Sequence, residues 1–260
     1  MRKKHNNPVY PVLFFLLAAV MYSGCTAIKP QQTYESDREA LETADRLRDF
    51  NREIKASKGK GLLTIAAKSR RVRYRVAWAA KSPDQARITL ISSGIPVETV
   101  LFNRGRITLA SHTGQHPLKI YNTDNPSLER ILSVPVRIND IISVLTGKIP
   151  VKPYDRAWFE DTDRKKEARS ILLNIQSDKK MQRLGIDPDG GIREFSLLED
   201  LEHPVYTVGF SGLKKFNSNS IFTRTTITNE SGESAVLRIH DFKENPDMKD
   251  SIFNLTKAGQ

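Results

Sequence analysis

From Lys58 onward, apolar and polar positions alternate with a period of two through one segment after another. The stretches 61–68 (GLLTIAAK), 71–80 (RVRYRVAWAA), 85–92 (QARITLIS), 97–103 (VETVLFN) and 106–112 (RITLASH) each predict a β-strand. Ser69-Arg70, Ser82-Pro83-Asp84, Ser93 to Pro96 and Arg104-Gly105 separate them as turns. Within the second stretch Val72, Tyr74, Val76 and Trp78 alternate with Arg71, Arg73, Arg75 and Ala77, so one face is apolar and the other strongly basic. The pattern resumes in ARSILLNIQ, MQRLGID, IREFSLL, VYTVGFSGL, IFTRTTITN and SAVLRIHDF, with turns at Asp187 to Gly191 and at Ser231-Gly232. Such a succession describes an antiparallel meander with one wet side.

Two segments follow a helical period instead. Ser36 opens SDRE, a capping box with Glu39, and Leu41, Ala44, Leu47, Phe50 and Ile54 recur every three or four residues, which predicts an amphipathic helix over 37–55. In 134–150 (VPVRINDIISVLTGKIP) the residues Val136, Ile138, Ile141, Ile142, Val144 and Leu145 are apolar, Asn139 is placed to cap, and Gly147 and Pro150 end the segment. Ten or more strands in one meander curl strongly. The expected fold class is mainly β with some α: a curled antiparallel sheet forming an unclosed β-barrel, with the N-terminal helix and the short inserted helix as lid or plug. The inserted helix reads equally well as a lid touching a ligand in a hollow barrel or as a core helix filling it.

The N-terminus changes this picture. Arg2, Lys3 and Lys4 precede the apolar run Pro11 to Val20, extended by Met21 and Tyr22 and followed by Ser23-Gly24-Cys25, the layout of a secretory signal. Cys25 is the only cysteine, so it forms no disulfide within the chain, and its setting resembles the lipobox of bacterial lipoproteins with Tyr22 where Leu is usual. The resemblance implies cleavage before Cys25, lipid attachment to it, and, because Thr26 rather than Asp follows, an outer-membrane, periplasm-facing location. An uncleaved anchor with an incidental cysteine is the alternative. The expected organisation is a signal over 1–24, a tether over 25–36, one domain over 37–245 and a weakly structured tail over 246–260 in which SIFNL docks back.

Removing residues 1–24 lowers the formal charge from +11 to +8, so the body stays basic. In an exported protein this points away from nucleic acid and toward lipid headgroups or envelope partners; solubilising exposed strand faces explains the charge as well. No catalytic constellation emerges. His112 and His116 have a spacing that converges only on a helix, and they fall at a strand end and in a loop. Asp187 to Gly191 (DPDGG) lacks the distal glutamate of a calcium loop and predicts a hairpin turn. Gly59-Lys60-Gly61 is too poor in glycine for a phosphate loop, there is no Gly-x-Ser-x-Gly elbow, and Glu160-Asp161 and Glu199-Asp200 are adjacent and diverge in strands. A non-enzymatic binding protein without metal or cofactor is expected.

The order of elements, namely a helix, GKGLLTIAAK, an aromatic strand ending in Trp78, ARITLISSGIP, a strand and the NRGRITL hairpin, resembles the outer-membrane lipoprotein receptor LolB and its periplasmic relative LolA. The segment 134–150 is the most specific part, and the resemblance covers roughly 58–245. It implies an apolar barrel cavity that accepts acyl chains of lipoproteins or other lipids, with Trp78, Ile138, Ile141, Ile142 and Leu145 as candidate ligand contacts. A LolA-like carrier would be the partner, and the protein would act as a monomer. Receptors of this kind expose an apolar residue in a Pro-Leu-Gly loop; here Ser92-Ser93-Gly94 stands there, with Ser93 at the Leu position. Only Ile95, followed by Pro96, offers an apolar membrane contact, shifted by two. An envelope interaction protein with a filled barrel is the competing reading.

Overall fold

The strand periodicity is realised as a single sheet. A computed structural model describes residues 36–68, 70–160, 169–175 and 180–255; Cys25, the signal segment and the tether up to residue 35 lie outside them. Helix α1 (Arg38–Arg48) precedes β1 (Ala56–Ala67), β2 (Arg70–Lys81), β3 (Gln85–Ser92), β4 (Ile95–Asn103), β5 (Arg106–Ser111) and β6 (Lys119–Asn122). Then come α2 (Glu129–Leu132) and α3 (Ile138–Leu145), followed by β7 (Tyr154–Phe159), β8 (Arg169–Ile175), β9 (Met181–Ile186) and β10 (Ile192–Leu198). β11 (Pro204–Phe216), β12 (Asn219–Thr228) and β13 (Ser234–Glu244) complete the sheet, and one turn of 3-10 helix spans Asp250–Phe253.

The strand order is β6-β5-β4-β3-β2-β1-β13-β12-β11-β10-β9-β8-β7, with every neighbour antiparallel. The protein is therefore mainly β, a curled sheet not closed into a barrel. β1 pairs with β13, which joins two meanders at the centre and leaves β6 and β7 as edges. The chain between these edges, residues 123–153, has to pass from one to the other, and it carries α2 and α3 over the inner face. Residues Glu35–Gln260 make up one compact unit with a continuous apolar core of its own.

Register shows how that core is laid out. Phe159, Ile171, Leu184, Phe195, Val208, Ile227, Ala235, Ile65 and Val72 are successive cross-strand partners from β7 to β2. All share the inner face, because directly paired residues point the same way. Helix α1 packs on β7, where Asp37 N–H donates to Ala157 O at 2.8 Å and the Arg48 guanidinium lies over the Tyr154 ring.

Several local expectations are corrected. The cap of α1 is Asp37, whose Oδ1 accepts from Glu39 N and Ala40 N; Ser36 Oγ accepts instead from Ala157 N, and Glu39 pairs with Arg169 at 2.9 Å. The helix ends at Arg48 rather than near residue 55, since Asn51 takes a left-handed backbone (φ 55) and its amide clamps Gly147 O and Ser220 O. Phe50 and Ile54 still pack inward, from a turn. Asn139 does not cap α3; its own N–H donates to Asn125 Oδ1 from the preceding loop. At the other end Gly147 (φ +73) donates to Val144 O and Lys148 N to Ser143 O, the paired bonds of a Schellman ending.

Ser93 and Gly94 (φ 49 and 83) make a two-residue turn with Ser92 opposite Ile95, so Ile95 and Pro96 belong to β4 and not to the turn. Asp187 to Gly191 forms a hairpin turn in which Gly190 N donates to Asp187 O. Strands β6 and β7 and helix α2 were not foreseen, being short and lacking clear periodicity. In the C-terminal segment Phe253 is fully buried on the outer face, where Arg87 donates to Ile252 O and Asn103 to Phe253 O.

Candidate functional site

The two halves of the inner face are covered differently. Over β8 to β11 the side chains of Leu173, Leu184, Phe195 and Tyr206 are wholly buried. Toward one end of β2 to β6 the inner-face residues Val72, Tyr74, Val97 and Leu109 are only half-buried and Tyr121 is exposed, whereas Leu63, Val76 and Val100, further along the sheet, are buried. They form the floor of a groove of about 970 Å³, bounded on the far side by Leu128, Ile131 and the loop to α2. This volume lies at the upper end of the range of roughly 300–1,000 Å³ for small-molecule sites.

Charged and polar groups join the apolar lining. Arg70, Lys119 and Arg130 stand there exposed. Glu98 Oε2 lies 2.9 Å from His116 Nε2, and His116 Nδ1 lies 2.7 Å from Pro117 O. An apolar floor beneath a mainly cationic rim matches an amphipathic ligand with an acyl tail and an anionic or polar head.

Leu90, Leu128 and Ile131 also line a second, almost wholly apolar space beside α3, with Leu63, Val76, Ile141 and Leu145. Its volume is about 60 Å³, less than half of the roughly 150 Å³ of an engineered cavity that admits benzene. The structure thus holds an open groove and a narrow apolar slot that share Leu90, Leu128 and Ile131 as lining.

The residues expected to contact ligand are distributed accordingly. Ile141 and Leu145 line the slot, whereas Ile138 and Ile142 are wholly buried and border neither space. Trp78 borders neither: its ring covers Gly59, where a Cβ would come within 2.1 Å of it, and its Nε1 donates to Ser57 Oγ at 3.1 Å. Ser57 Oγ in turn donates to Leu145 O at 2.6 Å, so this chain of bonds fixes the C-terminal end of α3 over β1 and β2. Ile95 is 63% exposed at the start of β4, opposite Ser92, which lines the groove; Pro96 beside it is exposed as well.

A buried polar cluster ties α3 to the covered half. Asp140 accepts from Tyr206 Oη and from Lys152 Nζ at 2.8 Å, and the Lys152 backbone exchanges two bonds with the buried Gln182 side chain. Burial, followed by the Asp140 charge, raises the Tyr206 phenol well above its ordinary range, so it stays a donor. Among the described residues no group of three or more His, Cys, Asp or Glu could hold a metal ion; His112 bonds Thr99 while His116 bonds Glu98.

The groove was missed in the sequence. Alternation marks Val72, Ile107 and Leu109 as inward-facing, but it does not distinguish a covered inner face from an open one, and Val97 is turned inward only by the register shift in β4.

No family model matches the chain, and no curated protein matches it by sequence. Solved structures do. A DUF1329 family protein from Desulfovibrio piger superposes with a TM-score of 0.61 at 10% identity, covering 85% of this chain and 98% of that one. A domain assigned to outer membrane lipoprotein sorting from Vibrio parahaemolyticus gives 0.59 at 11% identity, covering 83% and 96%. A LolA superfamily protein from Nitrosomonas europaea gives 0.54 at 16% identity, covering 85% and 98%. At these identities the likeness establishes a common fold.

Proposed function

We propose that this protein is a lipid-anchored receptor of the outer membrane that accepts the acyl chains of lipoproteins, or another acylated ligand, in the groove of its inner face. The observation that carries the reading is the open groove with an apolar floor, set beside the apolar slot at α3 and sharing Leu90, Leu128 and Ile131 with it. Each methylene moved from water into such a site contributes about 0.8 kcal/mol, so a chain of about ten supplies roughly 8 kcal/mol before the costs of association. The slot is narrow as it stands, so deep entry of a chain requires α3 to shift, and handover then depends on the relative affinities of donor and acceptor. The shared fold of proteins assigned to lipoprotein sorting supports this choice of ligand.

Anchoring through Cys25, a periplasmic LolA-like donor and the absence of covalent chemistry complete the proposal. Residues 26–260, which lack Cys25, should bind a fluorescent fatty acid or a purified lipoprotein, and Val72→Asp with Leu109→Asp should weaken binding more than tenfold. If the body takes up neither probe, the proposal fails. A second reading, an envelope interaction protein with a filled interior, draws on the small volume of the slot. Crosslinking to one stable protein partner, with no lipid in native mass spectra, would favour it.

A further inference from the structure

The outer face of the sheet carries a cluster of cations that the groove does not use. Arg71, Arg73 and Arg75 occupy alternate positions of β2 and share that face. Register extends the cluster sideways: Arg75 pairs with Leu62, Leu62 with Arg238, and Arg238 with Arg224, so one row runs across β2, β1, β13 and β12. All five arginines are exposed, and among the described residues no side-chain hydrogen bond or ion pair engages any of them.

The fold gains nothing from this arrangement. Arg224 and Arg238 oppose each other directly, and like charges in that position repel. The neighbouring rows place Thr64, Val236 and Thr226 beside Arg73, and Ala66, Ser234 and Thr228 beside Arg71, with no Asp or Glu among them. β2, β12 and β13 lie inside the sheet, so the charges do not guard an edge. Arg73 and Arg75 also border a depression of about 480 Å³ with Leu62, Ile91 and the Ser92 to Gly94 turn, one residue from the exposed Ile95.

We infer that this face docks on the surface of an anionic bilayer, the arginines meeting lipid phosphates and the β3–β4 tip entering the headgroup boundary. A nucleic acid presents the same phosphates, but an exposed isoleucine beside the depression gains nothing from a polyanion, whereas it is stabilised at the acyl boundary of a membrane. Contact of this kind would orient the body on the membrane independently of what the groove holds.

Flotation of residues 26–260, without Cys25 and so without acyl chains, with phosphatidylcholine vesicles that contain or lack phosphatidylglycerol tests this. Binding is expected with the anionic vesicles only, and raised salt should abolish it. Arg73→Gln with Arg75→Gln should weaken partitioning roughly thirtyfold, at about fivefold for each arginine. Arg224→Gln with Arg238→Gln should do the same while leaving thermal stability unchanged or higher, which separates lost docking from lost folding. Absence of binding, equal binding to both vesicle types, insensitivity to the substitutions, or tighter binding to a DNA duplex than to anionic vesicles would overturn the inference. Fatty-acid uptake by the same variants should stay unchanged, so this inference and the groove reading fail separately.

Discussion

The inner face of one continuous sheet is finished in two ways. From Ile171 through Leu184, Phe195 and Val208 the cross-strand row is sealed; followed past Ala235 and Ile65, it opens at Val72. Residue type does not account for the change, since both ends are branched or aromatic. What differs is the cover: α1 packs on β7, and α3, held to Tyr206 of β11 and to Ser57 of β1, seals the middle of the sheet, while Val72, Leu109 and Tyr121 border a groove closed only by α2, a helix of four residues, and its loop. Most of the face is a packed core, and one corner of it is the same chemistry left available to a ligand.

The sharpest contrast should come from truncations on the two sides. Phe195→Ala in the sealed half is expected to cost about 3–5 kcal/mol of stability, and Leu109→Ala in the open half about 1 kcal/mol or less, measured by urea denaturation. Comparable losses would mean that the groove is packed in solution. Asp140→Ala removes the shared acceptor of Tyr206 and Lys152 and should cost about 3 kcal/mol. Because that cluster holds α3 to β11, the same variant should also speed fatty-acid exchange from the groove. Gly59→Ala drives a methyl against the Trp78 ring and should cost about 1–3 kcal/mol, shifting the tryptophan fluorescence.

The smallest effect belongs to an exposed turn beyond β10. Asp200 accepts from His203 Nδ1 and from the Glu202 and His203 N–H groups. The bond to Asp200 raises the His203 imidazole above its ordinary 6.5, and the bond to His203 lowers the Asp200 carboxyl below 3.8. The histidine's contribution is complete below 6.5 and is lost as pH rises through its raised value; the aspartate's is present above 3.8 and is lost as pH falls through its lowered value. The turn is therefore best supported between those limits. An NMR titration of His203 with a midpoint at or below 6.5 would contradict this.

Most strands were legible because alternation is a local property of the backbone. β6 escaped because its four residues are all exposed, and β7 because YDRAWF does not alternate. The cap of α1 was misplaced by one residue because Ser36 and Asp37 both offer an acceptor, and only the contact with Ala157 decided between them. Trp78 looked like a ligand contact from its apolar face, yet the neighbouring strand supplies a glycine for its ring and a serine for its N–H. Ile95 fell within the Ser93 to Pro96 turn of the sequence reading, but the turn is Ser93-Gly94 alone.

By itself the sequence determined the mainly β class, the two-faced strands with arginine on one side of β2, and the amphipathic α1 and apolar α3. Local periods of 2 and 3.6 suffice for these. The tertiary structure alone decided which rows of the inner face are covered, because that depends on where a connection of about thirty residues lays its helices between two distant edges. It alone set Arg224 opposite Arg238 and aligned both with Arg75, since cross-strand register joins residues that no local pattern relates.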